Sequence, residues 1–289
     1  MSQEHRGTIF LEAGRVLSHL AYDAEQFVLR LQAPRCAAHA QPGSFAHLTC
    51  DESIPMRRPL SIMRADARAG WIEILYKVVG HGLQALASRK AGDTVSVLGP
   101  IGKPFLPRPE RPRTLLIGGG VGIPPMVFLA ERLKDDARYR PLVLMGSEVP
   151  FPFRTRPSAT LVGGIPQGTI ACMPLLEEWQ VPSRLASKSD FPGCFGGFVT
   201  ELADHWLASL GRTELGEVEI FACGPTPMLK ATAALARRHQ VACQVSLEEF
   251  MACAVGGCAG CTVEVRTSQG PAMKRVCVDG PVFDAYSVF

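Results

Sequence analysis

The sequence predicts a multi-domain β plus α/β protein, in which an antiparallel β-barrel precedes a doubly wound parallel sheet and a small C-terminal metal module. Three observations support this class. Short β-rich runs separated by turn residues fill the first part of the chain, and glycine loops that follow apolar runs fill the middle. Four cysteines crowd the C-terminal part. We therefore expect domains at residues 1–109, 110–245 and 246–289.

The composition is that of an ordinary globular protein, since 47% of the 289 residues are hydrophobic and 20% are charged. A net charge of +3 is too small to favour nucleic acid or an anionic membrane as a partner. The most apolar stretch, residues 115–130, carries four glycines and two prolines, which argues against a membrane span. The N-terminus lacks the apolar core of a signal peptide, and six cysteines are scattered without framework spacing. We expect a reduced, cytoplasmic protein.

The barrel prediction rests on five β-rich runs bounded by Gly, Pro and Asp. They are Gly14–His19, Gln26–Gln32, Ser44–Thr49, Trp71–Val79 and Thr94–Leu98. Short strands at this spacing are typical of a barrel or a sandwich. The turn-rich loop Leu98–Phe105 closes this part, and the proline-rich stretch Pro107–Pro112 predicts the linker to the next domain.

Two segments of the barrel have residues suited to binding an anion. In Arg57–Ile62, an arginine and a serine flank a proline-fixed backbone, which suits a phosphate and a heterocycle; the alternative is a solvated strand edge. In Tyr76–Ser88, a strand leads through glycines into a short helix that we expect to begin near Gly82. A helix N-terminus of this kind suits a pyrophosphate, although an ordinary strand–helix turn has the same pattern.

The middle of the chain predicts a nucleotide-binding sheet. The apolar run Thr114–Ile117 is typical of a buried parallel strand, and it leads into the glycine loop Gly118–Met126 and a helix. The spacing is not a strict G-x-G-x-x-G, although the strand–loop–helix context supports a dinucleotide site. A second strand, Glu217–Ala222, ends at the loop Cys223–Met228. Cys223 either packs in the core or faces a nicotinamide.

The choice between NAD and NADP stays open. Glu148 follows the strand Pro141–Met145 and would bond a ribose 2′-hydroxyl, which favours NAD. Arg154 and Arg156 would instead favour a 2′-phosphate, and all three residues are also compatible with a solvated loop. Residues 150–195 show no clear regular pattern.

The C-terminal cysteines indicate an iron–sulfur cluster. Cys253, Cys258 and Cys261 have the C-x4-C-x2-C spacing of plant-type ferredoxins, and Cys277 follows further along. The glycines between them allow main-chain N–H groups to approach the sulfurs. Structural zinc would normally use two C-x2-C pairs, whereas only Cys258 and Cys261 form one. Buried free cysteines or disulfides are the other alternative, but four cysteines among glycines pack poorly as a core.

These motifs together resemble a known family along almost the whole chain. Three barrel segments are similar to the flavin domain of the ferredoxin–NADP reductase superfamily, namely Arg58–Ser61, Val79–Gly82 and Gly99–Gly102. Gly118–Pro125 and Cys223–Met228 resemble its nicotinamide domain. The cysteine run with Lys274–Phe283 around Cys277 is more particular. It resembles the electron-transfer subunits of two-subunit, NAD-linked dihydroorotate dehydrogenases.

The resemblance implies a site for each of three cofactors and no acid–base catalytic side chain. Arg58 would bind the FAD phosphates, Ser61 the isoalloxazine, and Gly82 would begin the helix facing the pyrophosphate. The implied FAD site comprises Arg58, Pro59, Leu60, Ser61, Val79, Gly80, Gly82 and Leu83. The implied nicotinamide site comprises Gly119, Gly120, Gly122, Cys223, Gly224 and Pro225. The implied [2Fe–2S] ligands are Cys253, Cys258, Cys261 and Cys277.

The implied function is electron transfer between a partner dehydrogenase and NAD. Nicotinamide exchanges two electrons as a hydride and a cluster passes one, so a flavin must mediate between them. The resemblance implies a catalytic partner subunit that contains FMN, in a heterotetramer, with NAD as substrate and pyrimidine biosynthesis as the setting. One alternative is a reductase subunit serving a ferredoxin, hydrogenase or oxygenase. Another is a non-enzymatic redox sensor, because Gly82-Leu83 stands where the family usually has Gly-Thr.

Overall fold

The computed structural model describes residues 7–289 and divides them into two compact units. The first unit combines the segment that ends at Pro104 with Glu249–Val282. The second combines Phe105–Glu248 with Phe283–Phe289. Each unit is therefore built from two separate stretches of sequence.

The first unit contains a closed six-stranded antiparallel barrel in the order β1-β2-β5-β4-β3-β6. Its strands are β1 (Phe10–Tyr22), β2 (Gln26–Gln32), β3 (Phe45–Thr49), β4 (Arg58–Asp66), β5 (Trp71–Lys77) and β6 (Thr94–Ile101). The barrel prediction is confirmed, and each of the five predicted runs overlaps a strand, although Ser44 precedes β3 and residues 78–79 follow β5. The sixth strand, β4, begins at Arg58 itself, so the anion-binding segment is part of the barrel wall.

Aliphatic side chains fill the barrel. Leu29, Leu31, Ile62, Ile72 and Ile74 are all fully buried. Burying such a side chain contributes about 1.5–3 kcal/mol relative to exposure, so the barrel has a substantial core of its own. Two helices, α1 (Pro34–His39) and α2 (Gly80–Ala87), belong to the same unit. Helix α2 begins at Gly80, two residues earlier than expected, which places Gly82 within its first turn.

The cluster segment packs against the barrel within the first unit. It contains an antiparallel hairpin of β15 (Thr262–Thr267) and β16 (Gly270–Arg275). The Lys103 amide donates to the Gly280 carbonyl at 2.6 Å, and Lys103 forms a β-bridge with Pro281. Gly102 has φ +96°, and a Cβ atom there would lie 2.3 Å from Pro281 Cδ. A glycine is therefore required where the two segments meet.

The second unit contains a seven-stranded sheet with a parallel core. Its order is β12-β11-β8-β7-β13-β14-β17. Its strands are β7 (Arg113–Gly119), β8 (Leu142–Gly146), β11 (Ser183–Ser187), β12 (Phe195–Gly196), β13 (Val218–Cys223), β14 (Ala242–Ser246) and β17 (Val282–Asp284). From β12 to β14 every neighbouring pair is parallel. The predicted parallel-sheet domain is confirmed.

Helices and a small two-stranded sheet complete the second unit. The small sheet pairs β9 (Arg156–Pro157) with β10 (Ala171–Cys172). The helices are α3 (Ile123–Leu133), α4 (Pro174–Glu178), α5 (Val199–Ala208), α6 (Arg212–Gly216), α7 (Thr226–His239) and α8 (Ala285–Val288). Leu115, Ile117 and Ile220 lie in the hydrophobic core with side chains of α5 and α7. Within the described residues, no helix is both long and apolar enough to cross a membrane.

Residues 150–195 are more regular than their composition indicates. Strand β11 lies inside the main sheet with all five residues buried, although its sequence Ser-Arg-Leu-Ala-Ser is mostly polar. Two of its polar side chains bond to other segments: Ser183 Oγ accepts from the Met173 amide at 3.2 Å, and Arg184 donates to the Thr160 carbonyl at 2.6 Å, while Arg184 Nε has no partner among the described residues. Hydrogen bonding of this kind lets a polar strand be buried.

Candidate functional site

The four predicted cluster cysteines meet as two pairs. Cys261 and Cys277 are buried, and their Sγ atoms lie 3.3 Å apart. Cys253 is half-buried and Cys258 is exposed, and both the thiol and the amide of Cys258 reach the Cys253 sulfur. Within residues 7–289, no three His, Cys, Asp or Glu side chains converge to hold a single ion. Two thiol pairs fit a two-iron cluster, which takes four protein ligands, two on each iron.

Main-chain amides point at the sulfurs of this site. The Cys258 amide donates to Cys253 Sγ at 3.4 Å, and the Gly260 amide donates to Cys258 Sγ at 3.4 Å. The Cys277 amide donates to Cys261 Sγ at 3.5 Å. Such donors stabilise thiolates, which are the form that binds iron. The donor set and its environment therefore fit a [2Fe–2S] cluster.

One cysteine of each pair has a shifted acidity. Partial burial opposes ionisation of Cys253, but main-chain donors led by the Cys258 amide prevail and lower its pKa to about 7. Burial, followed by the neighbouring Cys261 side chain, raises the pKa of Cys277 to about 12. Cys253 thus supplies a thiolate more readily than Cys277 does. Metal binding would deprotonate Cys277 and release its proton.

Backbone geometry shapes the loop that holds the cysteines. Ala254 and Ala259 have φ of 57° and 55°, a left-handed conformation that is uncommon for residues other than glycine. Gly256 also has positive φ, and a Cβ there would lie 2.6 Å from Val278 Cγ2. These turns curl the loop around the sulfurs, and the turn at Gly256 brings it against the segment that carries Cys277.

Arg275 ties the two halves of the cysteine site together. Its Nη1 donates to the Gly256 carbonyl at 2.9 Å, and its amide donates to Asp279 Oδ2 at 2.8 Å. The Asp279 amide donates back to the Arg275 carbonyl at 2.7 Å. Sequence reasoning missed this role. The available signal was a basic residue two positions before Cys277 with an acidic residue two positions after it.

The predicted flavin residues lie together at the start of β4 and α2. A Cβ atom on Gly82 would lie 2.7–2.8 Å from three atoms of the Arg58 guanidinium, so the guanidinium lies directly against the first turn of α2. Arg58 Nη1 donates to the Met56 carbonyl at 2.6 Å. No side chain caps the N-terminus of α2. A fixed positive charge beside free helix amides is an arrangement suited to a pyrophosphate.

The remaining flavin residues have distinct surroundings. Pro59, Leu60 and Ser61 are half-buried in β4 and pair with β3. Val79 is 71% exposed, and Gly80 has φ +71° at the helix start. Leu83 stands where the family usually has threonine. Its side chain is buried, so this position contributes to the core. Arg57, unlike Arg58, is held by β3 and β6 through the His47 and Ser96 carbonyls at 3.0 and 3.1 Å.

The two predicted nicotinamide loops contact each other. A Cβ on Gly122 would lie 2.2 Å from the Cys223 carbonyl oxygen and 2.5 Å from the Gly224 amide nitrogen. A Cβ on Gly119 would lie 2.4 Å from the Met228 sulfur, in the first turn of α7. Gly120 opens a 3-10 turn with φ +54°. The loops follow the adjacent parallel strands β7 and β13, as the dinucleotide prediction requires.

Cys223 is fully buried at the carboxyl end of β13. Burial, and then the Glu248 carboxylate, raise the pKa of its thiol well above the usual value. Of the NAD-versus-NADP candidates, Glu148 and Arg154 are exposed. Arg156 lies in β9 and donates to the Pro174 carbonyl at 3.4 Å. None of the described contacts joins these three residues into one group.

Comparison with known proteins supports both cofactor regions. Residues 248–289 match the iron–sulfur cluster binding domain of dihydroorotate dehydrogenase B. Residues 15–105 match the oxidoreductase FAD-binding domain. The chain is 33% identical over 277 residues to the dihydroorotate dehydrogenase B (NAD(+)) electron transfer subunit of Caldanaerobacter subterraneus subsp. tengcongensis, covering 95% of this chain and 96% of the relative. The corresponding subunit of Shouchella clausii is 34% identical over 251 residues, covering 84% and 85%.

Solved structures share the fold. A chain of the NADH-dependent reduced ferredoxin–NADP oxidoreductase superposes with a TM-score of 0.76 at 25% identity, covering 96% of this chain and 90% of that one. The ferredoxin reductase of carbazole 1,9a-dioxygenase gives a TM-score of 0.62 at 22% identity, covering 81% and 67%, which shows the fold alone. The barrel and the paired cysteines correspond to the two matched domains, and the parallel sheet is shared with the solved structures. The chain belongs to the family of electron transfer subunits of dihydroorotate dehydrogenase B (NAD(+)).

Proposed function

We propose that the chain is the electron-transfer subunit of an NAD-linked dihydroorotate dehydrogenase. It passes electrons between the flavin of a partner dehydrogenase and NAD by way of a [2Fe–2S] cluster and FAD. The observation that carries this proposal is that four cysteines form two contacting pairs in a chain that also has a flavin barrel. The pairs are Cys253 with Cys258 and Cys261 with Cys277. The likeness to named relatives over 95% of the chain supports it.

We propose roles for the individual flavin-site residues. Arg58 and the first turn of α2 hold the FAD pyrophosphate, because a guanidinium and free helix amides both favour phosphate oxygens. Ser61 donates to or accepts from the isoalloxazine. The rest of the proposed FAD site is Pro59, Leu60, Val79, Gly80, Gly82 and Leu83.

The nicotinamide nucleotide binds at the loops that follow β7 and β13. Gly119 and Gly122 bring these loops into contact, and Gly120 leaves open space where a side chain would stand. Main-chain amides thereby face a nucleotide without interference from side chains. The exposed Pro225 supplies the other wall, and the buried Cys223 and Gly224 lie behind it in the same loop.

Bound FAD exchanges two electrons with nicotinamide and single electrons with the cluster, so it links the two kinds of transfer. The protein residues bind and orient the groups. We assign no acid–base catalytic side chain in this chain. The three cofactor roles divide among residues 1–109, 110–245 and 246–289.

The proposed partner is a catalytic subunit that contains FMN and performs the dihydroorotate chemistry, joined with this chain in a heterotetramer. The names of the relatives as electron transfer subunits support a catalytic partner. We also propose a cytoplasmic location. All ten cysteines are free of disulfide bonds, and a reducing compartment keeps cysteines in this state.

A second candidate keeps the cofactors and changes the partner. The likeness to the NADH-dependent reduced ferredoxin–NADP oxidoreductase favours a subunit that serves a ferredoxin. Co-purification decides between the two. A flavin dehydrogenase subunit recovered with the native chain supports the first candidate, and a ferredoxin-linked subunit recovered instead supports the second.

The decisive experiment is anaerobic purification followed by a visible spectrum and assays for iron, sulfide and flavin. We expect about two irons and two sulfides per chain, as a [2Fe–2S] cluster requires, together with one FAD and bleaching by NADH. A protein that contains zinc and no sulfide, or that takes up no flavin on reconstitution, would overturn the proposal.

A further inference from the structure

Strand β3 forms part of the contact between the barrel and the cluster segment within the first unit. Side chains alternate along a strand, so Phe45 and His47 share one face while Ala46 and Leu48 share the other. Phe45 Cε1 lies 3.4 Å from the Cβ position of Gly102, where the barrel meets Pro281. The main chain of Met251 lies beside the His47 ring, so the C-terminal segment contacts this face of β3.

His47 is a buried polar side chain that this packing does not explain. It is fully buried, and neither ring nitrogen makes a hydrogen bond of ordinary length and angle within residues 7–289, so the main chains of Arg57 and Met251 are only weak partners for the ring. A poorly compensated buried polar group destabilises a fold, and an apolar side chain of similar size would avoid that loss. A purely structural requirement would therefore favour leucine or phenylalanine at this position.

The surroundings of His47 connect the two cofactor regions of the first unit. His47 pairs with Pro59 in β4, and Arg57 Nη1 donates to its carbonyl at 3.0 Å. The main chain of Arg57 and of Met251 faces the ring. Met251 lies two residues before the cluster ligand Cys253, and Pro59 follows the flavin residue Arg58. Burial, and then the Arg57 charge, keep the imidazole neutral by lowering its pKa to about 4.

We infer that His47 is a positioning residue for electron transfer between the flavin and the cluster. Its neutral imidazole holds the Met251–Cys253 segment at a fixed distance from the Arg58–Ser61 segment and directs a polar edge toward the cluster loop. Polar groups in the second shell of an iron–sulfur site tune its potential and its ligand geometry. The inference rests on the proposed function, because it requires both cofactors to be bound in the first unit.

The test compares His47→Leu, His47→Asn and His47→Gln in the anaerobically reconstituted full chain. Leucine removes the polar edge, whereas asparagine and glutamine place an amide near Nδ1 and Nε2 respectively. His19→Leu is the matched control, because His19 is a barrel histidine whose ring bonds to Tyr76 and to the Arg89 carbonyl. Stopped-flow mixing with NADH resolves flavin reduction from cluster reduction, and electron paramagnetic resonance of the reduced cluster reports its ligand geometry.

We expect His47→Leu to slow cluster reduction about tenfold, the lower end of second-shell effects, and to shift the resonance spectrum, while flavin reduction stays within about twofold. One of the two amide variants should recover most of the rate. The thermal unfolding midpoint of His47→Leu should equal or exceed that of the unsubstituted chain. If His47 were needed only for packing, the substitution would instead lower this midpoint.

Unchanged cluster reduction and resonance in His47→Leu would overturn the inference, and so would equal slowing in His19→Leu. If His47→Leu fails to fold, the asparagine and glutamine variants are the test. The inference is then overturned if neither of them reduces the cluster at close to the rate of the unsubstituted chain. The proposed function is judged separately on the unsubstituted chain. Iron, sulfide and flavin there, with no effect at His47, would reject this inference alone.

Discussion

The sulfur atoms of Cys261 and Cys277 lie 3.3 Å apart, and the Val276 amide, next to Cys277, donates to the Cys261 carbonyl at 2.9 Å. The fourth cysteine is therefore held against the third by the main chain as well as by its own side chain. This pairing supports the proposal that Cys277 is a cluster ligand, although it lies outside the compact cysteine loop.

Replacing Cys277 with serine should abolish or reduce binding of the cluster and leave the rate at which NADH reduces the flavin largely unchanged. A serine hydroxyl is a poor substitute for a thiolate, and the flavin residues are carried by β4 and α2. Iron and sulfide assays with stopped-flow flavin reduction test this. Cys194→Ser is the control, since Cys194 is half-buried in the second unit and should retain full iron content. If a folded Cys277→Ser protein lost both the cluster and the reduction of flavin by NADH, the cluster and flavin sites would not have the separate residues proposed.

Replacing Gly122 with alanine should impair nicotinamide binding. The new Cβ would lie 2.2 Å from the Cys223 carbonyl oxygen, so the two loops must separate. Overpacking of this kind costs about 1–3 kcal/mol, and we expect at least about a tenfold loss in kcat/KM for NADH. Steady-state kinetics with a soluble dye acceptor measure it. Gly196→Ala, which meets no atom within 4 Å, should be neutral, and equal losses in both variants would refute the loop contact.

Replacing Arg58 with alanine should weaken FAD binding about 10- to 100-fold, because a charge-assisted bond to phosphate is worth about 1.5–3 kcal/mol. Fluorescence titration of the deflavinated protein with FAD gives the dissociation constant. Arg68→Ala removes an exposed charge in the turn before β5 and serves as the control. If the dissociation constant for FAD is unchanged in Arg58→Ala, the phosphate role of Arg58 is wrong.

Replacing Arg275 with lysine should speed loss of iron to a chelator by about 10- to 100-fold, the range reported for second-shell changes. Lysine keeps the charge, but it cannot reproduce the planar guanidinium that reaches both Gly256 and Asp279. Loss of visible absorbance under excess chelator follows the reaction. Arg266→Lys, in the exposed part of β15, should behave as the unsubstituted chain does. Iron release at the normal rate would show that Arg275 does not hold the loop.

His47 should make folding stability depend on pH below neutrality. Its pKa falls from an ordinary 6.5 in the unfolded chain to about 4 in the fold, because of burial and then the charges of Arg57 and Arg58. The unfolded chain thus binds a proton first, so stability is full above pH 6.5 and falls as pH drops toward 4. Linkage gives a loss of about 2 kcal/mol between pH 7 and pH 5. Urea unfolding of the apo-protein with and without His47→Leu measures it, and identical pH profiles would contradict it.

Sequence reasoning found the elements whose signal is local. The runs around Leu29, Ile74 and Leu115 have the alternation or continuity that burial imposes on strands. The cysteine spacing indicated the cluster because ligand chemistry constrains sequence separation directly. These signals do not depend on distant partners.

The elements that were missed depend on partners far along the chain. Strand β11 is polar, and two of its buried side chains bond to Met173 and Thr160 in other segments. The interaction of the His47 ring with the main chain of Met251 joins residues from opposite ends of the sequence. No local pattern encodes such a pairing, since it arises from packing between separate segments.

Both compact units are completed by the C-terminal segment, because Glu249–Val282 joins the barrel and Phe283–Phe289 joins the sheet. During synthesis, domains generally fold from the N-terminus as they emerge from the ribosome. Here the barrel emerges early, and its unit is whole only after Glu249–Val282 has been synthesised. A cluster held by the four cysteines therefore requires that the chain has emerged at least as far as Cys277.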